Sequence, residues 1–285
     1  MFKNSLRSSG LKGSSIIITT RLQIVAEIVS PASSVYKLSS LRDGDSWKLF
    51  LFYAFRNEGE QQNPNLLRIG RQIIKKCGGV PLAIKVVGSL LYSEGQNERK
   101  WEWIRDNGIW DLQEVEEKSI IDTFRLSYNC LSSPARQCFA YCSLYPKDYA
   151  MEKENLIQIW MANGFIPVDD GTEPEVAGDM IFNELLSNSM LEGTERDGDG
   201  DIVECKMHDL LHDFASLVSR ELDSLRMDAT QDGEMINKNT LERARHLSVI
   251  GSSSELRLNH PSLSLQGLRT LMDVQQPSLI SSAAS

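Results

Sequence analysis

The chain has 285 residues, 41% of them hydrophobic, with a net charge of −9 and five cysteines. That length allows two or three small domains with packed cores, and the apolar content excludes wholesale disorder. The negative charge argues against a phosphate-backbone binder, and no apolar run approaches the ~18–20 residues of a membrane span.

Met1–Ser5 lacks the apolar core of a secretory leader, and an odd number of cysteines without a leader fits a reducing, cytoplasmic setting. Ser15–Arg21 carries a continuous apolar core, which predicts a buried strand of a parallel sheet. Leu22, Val25, Ala26 and Val29 follow helical spacing, and Val35–Leu38 predicts a second strand. One strand–helix–strand unit is too little for a sheet, so the completing strands are expected elsewhere. From Asp43 the pattern turns helical. Trp47, Phe50, Leu51 and Ala54 share a face, and Leu49, Phe52 and Tyr53 make the rest apolar, so this helix is expected to be buried all round. Asn63-Pro64 opens a helix with the stripe Leu66, Ile69, Ile73 and Cys77, and Gly78-Gly79 stop it. Pro81 opens another, and Arg99–Asn107, with Trp101 and Ile104, reads as a fourth, completing a small bundle.

A second helical block follows. Ser119 and Asp122 have the spacing of a capping box. Ser133-Pro134 starts a helix with Ala135, Cys138, Phe139 and Cys142 inward, Leu156, Ile157, Trp160 and Met161 mark the next, and Val176–Leu191 is a fourth. Met190–Thr194 and Ile202–Met207 pair as a hairpin across a polar Gly/Asp turn. Helices followed by a β-wing read as a winged helix, closed by a helix striped with Leu211, Phe214, Ala215 and Val218. Asp223–Asn239 is polar and reads as linker. Arg245–Ile250 and Leu268–Leu271 look like isolated strands without a fixed period.

Four segments, taken in order, resemble the NB-ARC region of plant NLR (NBS-LRR) disease-resistance proteins: Gly13–Arg21, Cys77–Ala83, Cys138–Asp148 and Met207–Asp209. The match is specific through order and spacing over roughly residues 10–220. The resemblance implies a mainly α chain: a remnant of an α/β P-loop NTPase domain (1–42), a helical bundle of ARC1 type (43–112), a winged helix of ARC2 type (113–221), a linker (222–243) and the start of leucine-rich repeats (244–285). It implies ADP between the domains at rest, exchange for ATP with Mg²⁺ on activation, and repeats that restrain the switch or sense its trigger. No G-x-x-x-x-G-K-[ST] occurs, nor an apolar strand ending in paired Asp before Gly13. The expectation is therefore a nucleotide-dependent switch region of an innate immune receptor in plant defence and the hypersensitive response, incomplete in its phosphate cradle and not an ATPase by itself. Its partners would be the P-loop domain and the repeats of the whole protein, or other NLR receptors.

By the same resemblance the nucleotide-binding residues are Thr20, Arg21, Gly79, Pro81, Leu82 and His208. Arg21 follows a strand, where its fork suits phosphate oxygens, and would sense the γ-phosphate; it also reads as an ordinary exposed arginine. Pro81 is a helix-start residue whose ring would pack on adenine. His208 stands before a helix N-terminus and would meet the β-phosphate; it also reads as a histidine satisfying backbone at a helix cap, and Asp209 reads as a cap that positions the turn and not as a ligand contact. Cys205, His208 and His212 have zinc-like spacing without an evident fourth ligand, Cys138 and Cys142 read as core thiols, and Asp197–Asp201 fails the calcium-loop pattern. A winged-helix DNA binder and a nucleotide-free interaction module or decoy are the alternatives. Glu152 and Glu154 beside a single Lys153 make a poor DNA footprint, so no nucleic acid is expected.

Overall fold

The computed structural model describes residues 17–20, 23–29, 35–56, 63–107, 116–167, 171–220, 224–228, 243–250 and 267–274. They fall into two units, Met1–Ser40 and Leu41–Ser285. The first contains helix α1 (Gln23–Val29), as its spacing predicts. The two strands expected to flank it do not form among the described residues: 17–20 and 35–40 have no regular structure. Ile17 is 91% exposed, and Tyr36 and Leu38 are exposed as well. A strand exists only through its ladder partner, so an apolar run without one stays open however strand-like its composition.

The second unit begins with four helices: α2 (Asp43–Phe55), α3 (Pro64–Lys76), α4 (Pro81–Ser93) and α5 (Glu98–Asn107). Helix α3 shows local chemistry fixing both ends. The Asn63 side chain accepts from the Asn65 amide at 2.9 Å, and Pro64 sits where its missing N–H costs nothing. Lys75 and Lys76 occupy the last turn, and Gly78 and Gly79 adopt φ of 58° and 74°, which ends the helix. The bundle core gathers Phe50, Leu66, Ile69, Ile73, Ile84, Leu90, Trp101 and Ile104. Helix α2 differs from its expectation. Phe50 and Ala54 are buried, but Phe52 is 68% exposed, because neighbours cover only part of an all-apolar helix.

Helices α6 (Glu116–Cys130), α7 (Ser133–Tyr141), α8 (Lys153–Ala162), α9 (Pro174–Ser187) and α10 (Asp209–Ser219) join strands β1 (Met151–Glu152), β2 (Glu192–Arg196) and β3 (Ile202–Lys206) in a winged helix. The sheet is antiparallel in the order β1-β3-β2. Ser119 lies within α6, which runs from Glu116. The cap of α7 is Ser132, whose Oγ accepts from the Ala135 amide at 3.3 Å. The core holds Phe124, Phe139, Trp160, Phe182, Leu185, Leu211 and Phe214.

A second sheet is parallel, ordered β4 (Ser224–Asp228), β5 (His246–Ile250), β6 (Thr270–Val274). Strand β4 lies within the stretch read as linker. It pairs with β5 from Ser224 opposite His246, a partner far along the chain that local polarity does not reveal.

The backbones of α2 and α4 approach closely at Gly88, where an added Cβ would lie 2.8 Å from the Tyr53 Cβ and 3.4 Å from the Ala54 amide nitrogen. Gly88→Ala is expected to lower stability by about 1–3 kcal/mol, since helix backbone must move. Gly44→Ala, where a Cβ meets nothing within 4 Å, is expected to be neutral or stabilising by up to ~1 kcal/mol. Denaturant midpoints of the two variants check this contrast.

Candidate functional site

Two short segments of the second unit carry the site residues. The first is the turn between α3 and α4. The Gly79 carbonyl accepts from the Leu41 amide at 2.8 Å, fixing the turn to the start of the bundle. The Val80 amide donates to the Cys77 carbonyl at 3.0 Å, and Pro81 then opens α4 with its ring exposed. Leu82, one residue on, is half-buried and packs against the winged-helix core.

The second segment is the start of α10. Here the cap is His208 and not Asp209: the His208 Nδ1 accepts from the Leu210 amide at 3.2 Å, with the backbone extended at φ −61° and ψ 141°. An Nδ1 that accepts puts the neutral ring's proton on Nε2. The ring is exposed, so it offers one N–H donor at the positive end of an 11-residue helix. Asp209 is instead the first helical residue, and its Oδ1 is buried without a hydrogen-bond partner.

Side chains farther along hold α10 in place. The His212 ring is buried with Nε2 2.8 Å from the Tyr145 carbonyl, Asp213 pairs with Lys147, and Phe214 packs against Phe124, Tyr128 and Phe139. Met207 and Leu211, on either side of His208, belong to the core cluster on which Leu82 also packs. Gly79, Pro81, Leu82 and His208 are thus all carried by the second unit. Thr20 is exposed in the first unit, and Arg21 lies outside the described residues.

Helix α4 bridges the bundle core and the winged-helix core. One face supplies Ala83, Ile84, Val87, Leu90 and Leu91 to the bundle core. The other sends Val86 into the winged-helix core, and α6 returns Leu126 to the bundle core. Along that second face runs a polar stripe at successive helical turns. Lys85 Nζ lies 3.2 Å from Glu192 Oε1, Ser89 Oγ 2.8 Å from Ser189 Oγ, and Ser93 Oγ, which donates to the Leu90 carbonyl at 2.8 Å, lies 3.4 Å from Asn188 Oδ1. Arg56, at the end of α2, sits over the Tyr92 ring at 4.5 Å and donates to the Ser187 carbonyl at 3.4 Å. None of these residues carries a site role in the sequence-based expectations. Polar positions at i, i+4 and i+8 on an otherwise apolar helix were the available signal.

The rival chemistries meet committed groups. His212 is engaged by the Tyr145 carbonyl, and the Cys205 thiol is buried in the core, which pushes it up to about 12. Burial likewise raises the Cys138 and Cys142 thiols well above the ordinary range. Asp197 Oδ1 accepts from the Asp199 and Asp201 amides at 3.0 and 2.9 Å, which makes its loop a hairpin turn closed by Gly200 at φ 92°. On α8, Leu156, Ile157 and Trp160 face the core, Glu154, Asn155 and Gln158 are exposed, and Lys153 is paired with Asp179. That leaves no basic surface for DNA on this helix.

Comparison with known proteins gives two family matches: the NB-ARC domain over residues 4–60, and the disease resistance protein winged helix domain over residues 144–215. The chain is 45% identical over 208 residues to disease resistance protein RGA2 of Solanum bulbocastanum, covering 73% of this chain and 21% of that protein. It is 36% identical over 212 residues to disease resistance protein RPP13 of Arabidopsis thaliana, covering 74% of this chain and 25% of that one. To the ToMV resistant protein Tm-2 netted virescent of Solanum lycopersicum it is 30% identical over 279 residues, covering 95% of this chain and 32% of that protein. The chain therefore spans about a fifth to a third of the length of these relatives. The NB-ARC match continues through α2. Among the described residues no helix is long and apolar enough to cross a membrane.

Burial predicts how the thiols react. A disulfide-exchange reagent at neutral pH is expected to label exposed Cys130 in the native chain and to reach Cys77, Cys138, Cys142 and Cys205 only on unfolding. Mass spectrometry of labelled peptides reads this directly, and rapid native labelling of Cys138 or Cys142 would contradict the packing described.

Proposed function

This chain belongs with the plant disease-resistance proteins through its NB-ARC and winged-helix domains, and we propose that it forms one wall of their nucleotide-dependent switch. The observation that carries the reading is His208, whose Nδ1 caps α10 while its exposed ring keeps an Nε2–H donor beside the helix N-terminus. Those are the groups an ADP phosphate needs. The exposed Pro81 ring, preset by its own covalent geometry, suits the face of an adenine with no side-chain entropy to lose. Gly79, bonded to the Leu41 amide, and Leu82, packed on the winged-helix core, flank that residue in the chain, and Thr20 and Arg21 would act on the γ-phosphate side. The phosphates themselves, with Mg²⁺ when ATP is bound, would lie in a P-loop supplied by the wider receptor. On this reading the chain is regulatory, not catalytic, and acts in the cytoplasm.

A nucleotide biases a switch only by contacting two states differently. The joint along α4 suits such a bias. Its apolar half, with Val86 and Leu126 exchanged between the cores, would serve as pivot. Its polar half, Lys85, Ser89 and Ser93, would part readily because water can replace each contact. The parallel strands starting at 224, 246 and 270 have the spacing of roughly 20–29 residues found in leucine-rich repeats, which supports reading them as the first turns of the receptor's sensing array.

The test joins these residues to the P-loop domain of a relative and measures ADP affinity by calorimetry. His208→Ala is expected to weaken binding about tenfold or more, roughly 1.4 kcal/mol, and Pro81→Ala less, while Arg196→Ala on the wing changes nothing. Unchanged affinity in both site variants would sink the nucleotide reading.

A further inference from the structure

The parallel sheet meets the winged helix at a buried histidine, beside contacts made by Thr270 and Met272. His246, at the start of β5, is 4% exposed. Its ring stands edge-on between Tyr141, at the end of α7, and Phe165, after α8, with centroids at 5.4 and 5.6 Å. Its Nδ1 lies 3.2 Å from Thr270 Oγ1 on β6, and that oxygen lies 2.9 Å from Asn163 Oδ1. Tyr141 also reaches the sheet, its hydroxyl lying 3.4 Å from Met272 Sδ.

The direction of this chain of hydrogen bonds can be worked out. Asn163 Nδ2 donates to the Ile159 carbonyl at 2.8 Å, so Asn163 presents its oxygen to Thr270. Thr270 has one hydroxyl proton and gives it to that oxygen. His246 Nδ1 must therefore be a donor to Thr270, and the neutral ring carries its proton there. A second proton can enter only at Nε2. It would create a cation out of water, beside Arg245 and Arg269, the two charges that act on the ring, with Tyr141 as the titratable group facing it from α7. The edge-on aromatic contacts offset only part of that cost.

We propose that His246 is a proton-sensitive clasp that holds the parallel sheet on the winged helix while neutral and releases it when protonated. Burial, then Arg269 and Arg245, hold the ring's pKa below the ordinary 6.5. The released form therefore binds the proton more readily than the clasped form. The clasp is complete above that ordinary value and is lost as pH falls through it towards the lowered one. The clasp does not rest on the nucleotide reading and stands or fails without it.

The test is NMR of the full chain, following the His246 ring and amide exchange corrected for its intrinsic pH dependence. Between about pH 7.5 and about pH 5, exchange in β5 and β6 is expected to become about tenfold faster, with the midpoint of the ring's own titration. Strands β2 and β3 of the wing should hold steady. His246→Phe keeps a ring between Tyr141 and Phe165 that cannot titrate, and should remove the pH response. Asn163→Ala leaves His246 intact and cuts the relay, and should speed exchange of β5 and β6 already at neutral pH. A flat response in the native chain, a response that survives His246→Phe, or no effect of Asn163→Ala overturns the clasp.

Discussion

The arrangement of residues 41–220 depends on one constraint: α4 is buried on two sides by two different cores. Most helices bury one stripe and leave the other face to water. Here Ile84, Val87, Leu90 and Leu91 fill the bundle while Val86 enters the winged helix. Gly88 lets α2 approach on the bundle side, and the hydroxyls of Ser89 and Ser93 meet Ser189 and Asn188 on the other. Helix α6 reciprocates with Phe124 in one core and Leu126 in the other. Both candidate nucleotide-facing segments hang from this joint, one at the first residue of α4 and the other at a cap seated on the core that Leu82 touches.

The joint's composition matters as much as its position. Each fully buried Val or Leu contributes about 1.5–3 kcal/mol. A hydroxyl pair or a part-exposed ion pair contributes about 1 kcal/mol or less, because water competes for the same groups. Along α4 the joint therefore sets apolar contacts beside weaker polar ones.

How much of this was legible beforehand follows the range of the interactions. Asn63-Pro64, Gly78-Gly79 and the stripe Leu66, Ile69, Ile73 and Cys77 act within a few residues, and the helix they predict forms with those ends. The hairpin around Asp197–Asp201 is likewise local. No strand forms at 17–20 or 35–38 among the described residues, Ser15, Ile16 and Arg21 lying outside them, and one at Ser224 was missed, because pairing is decided by distant partners. The exposure of Phe52 depends on which neighbours α2 has, which periodicity does not reveal. At the candidate site, a family motif pointed to His208, and its capping bond matches the other reading of that histidine while taking the role given to Asp209. The stripe Lys85, Ser89 and Ser93 was visible as spacing and means something only opposite residues 188–192.

The most direct test of the shared helix is native-state hydrogen exchange across a denaturant series, read separately for the bundle and the winged helix. Because α4 and α6 each serve both cores, the slowest amides of α3 and α5 should merge with those of α9 and α10 into one opening transition with a common free energy and slope. Two opening transitions with different slopes, one for each domain, would contradict the account and make α4 a tether between independent parts.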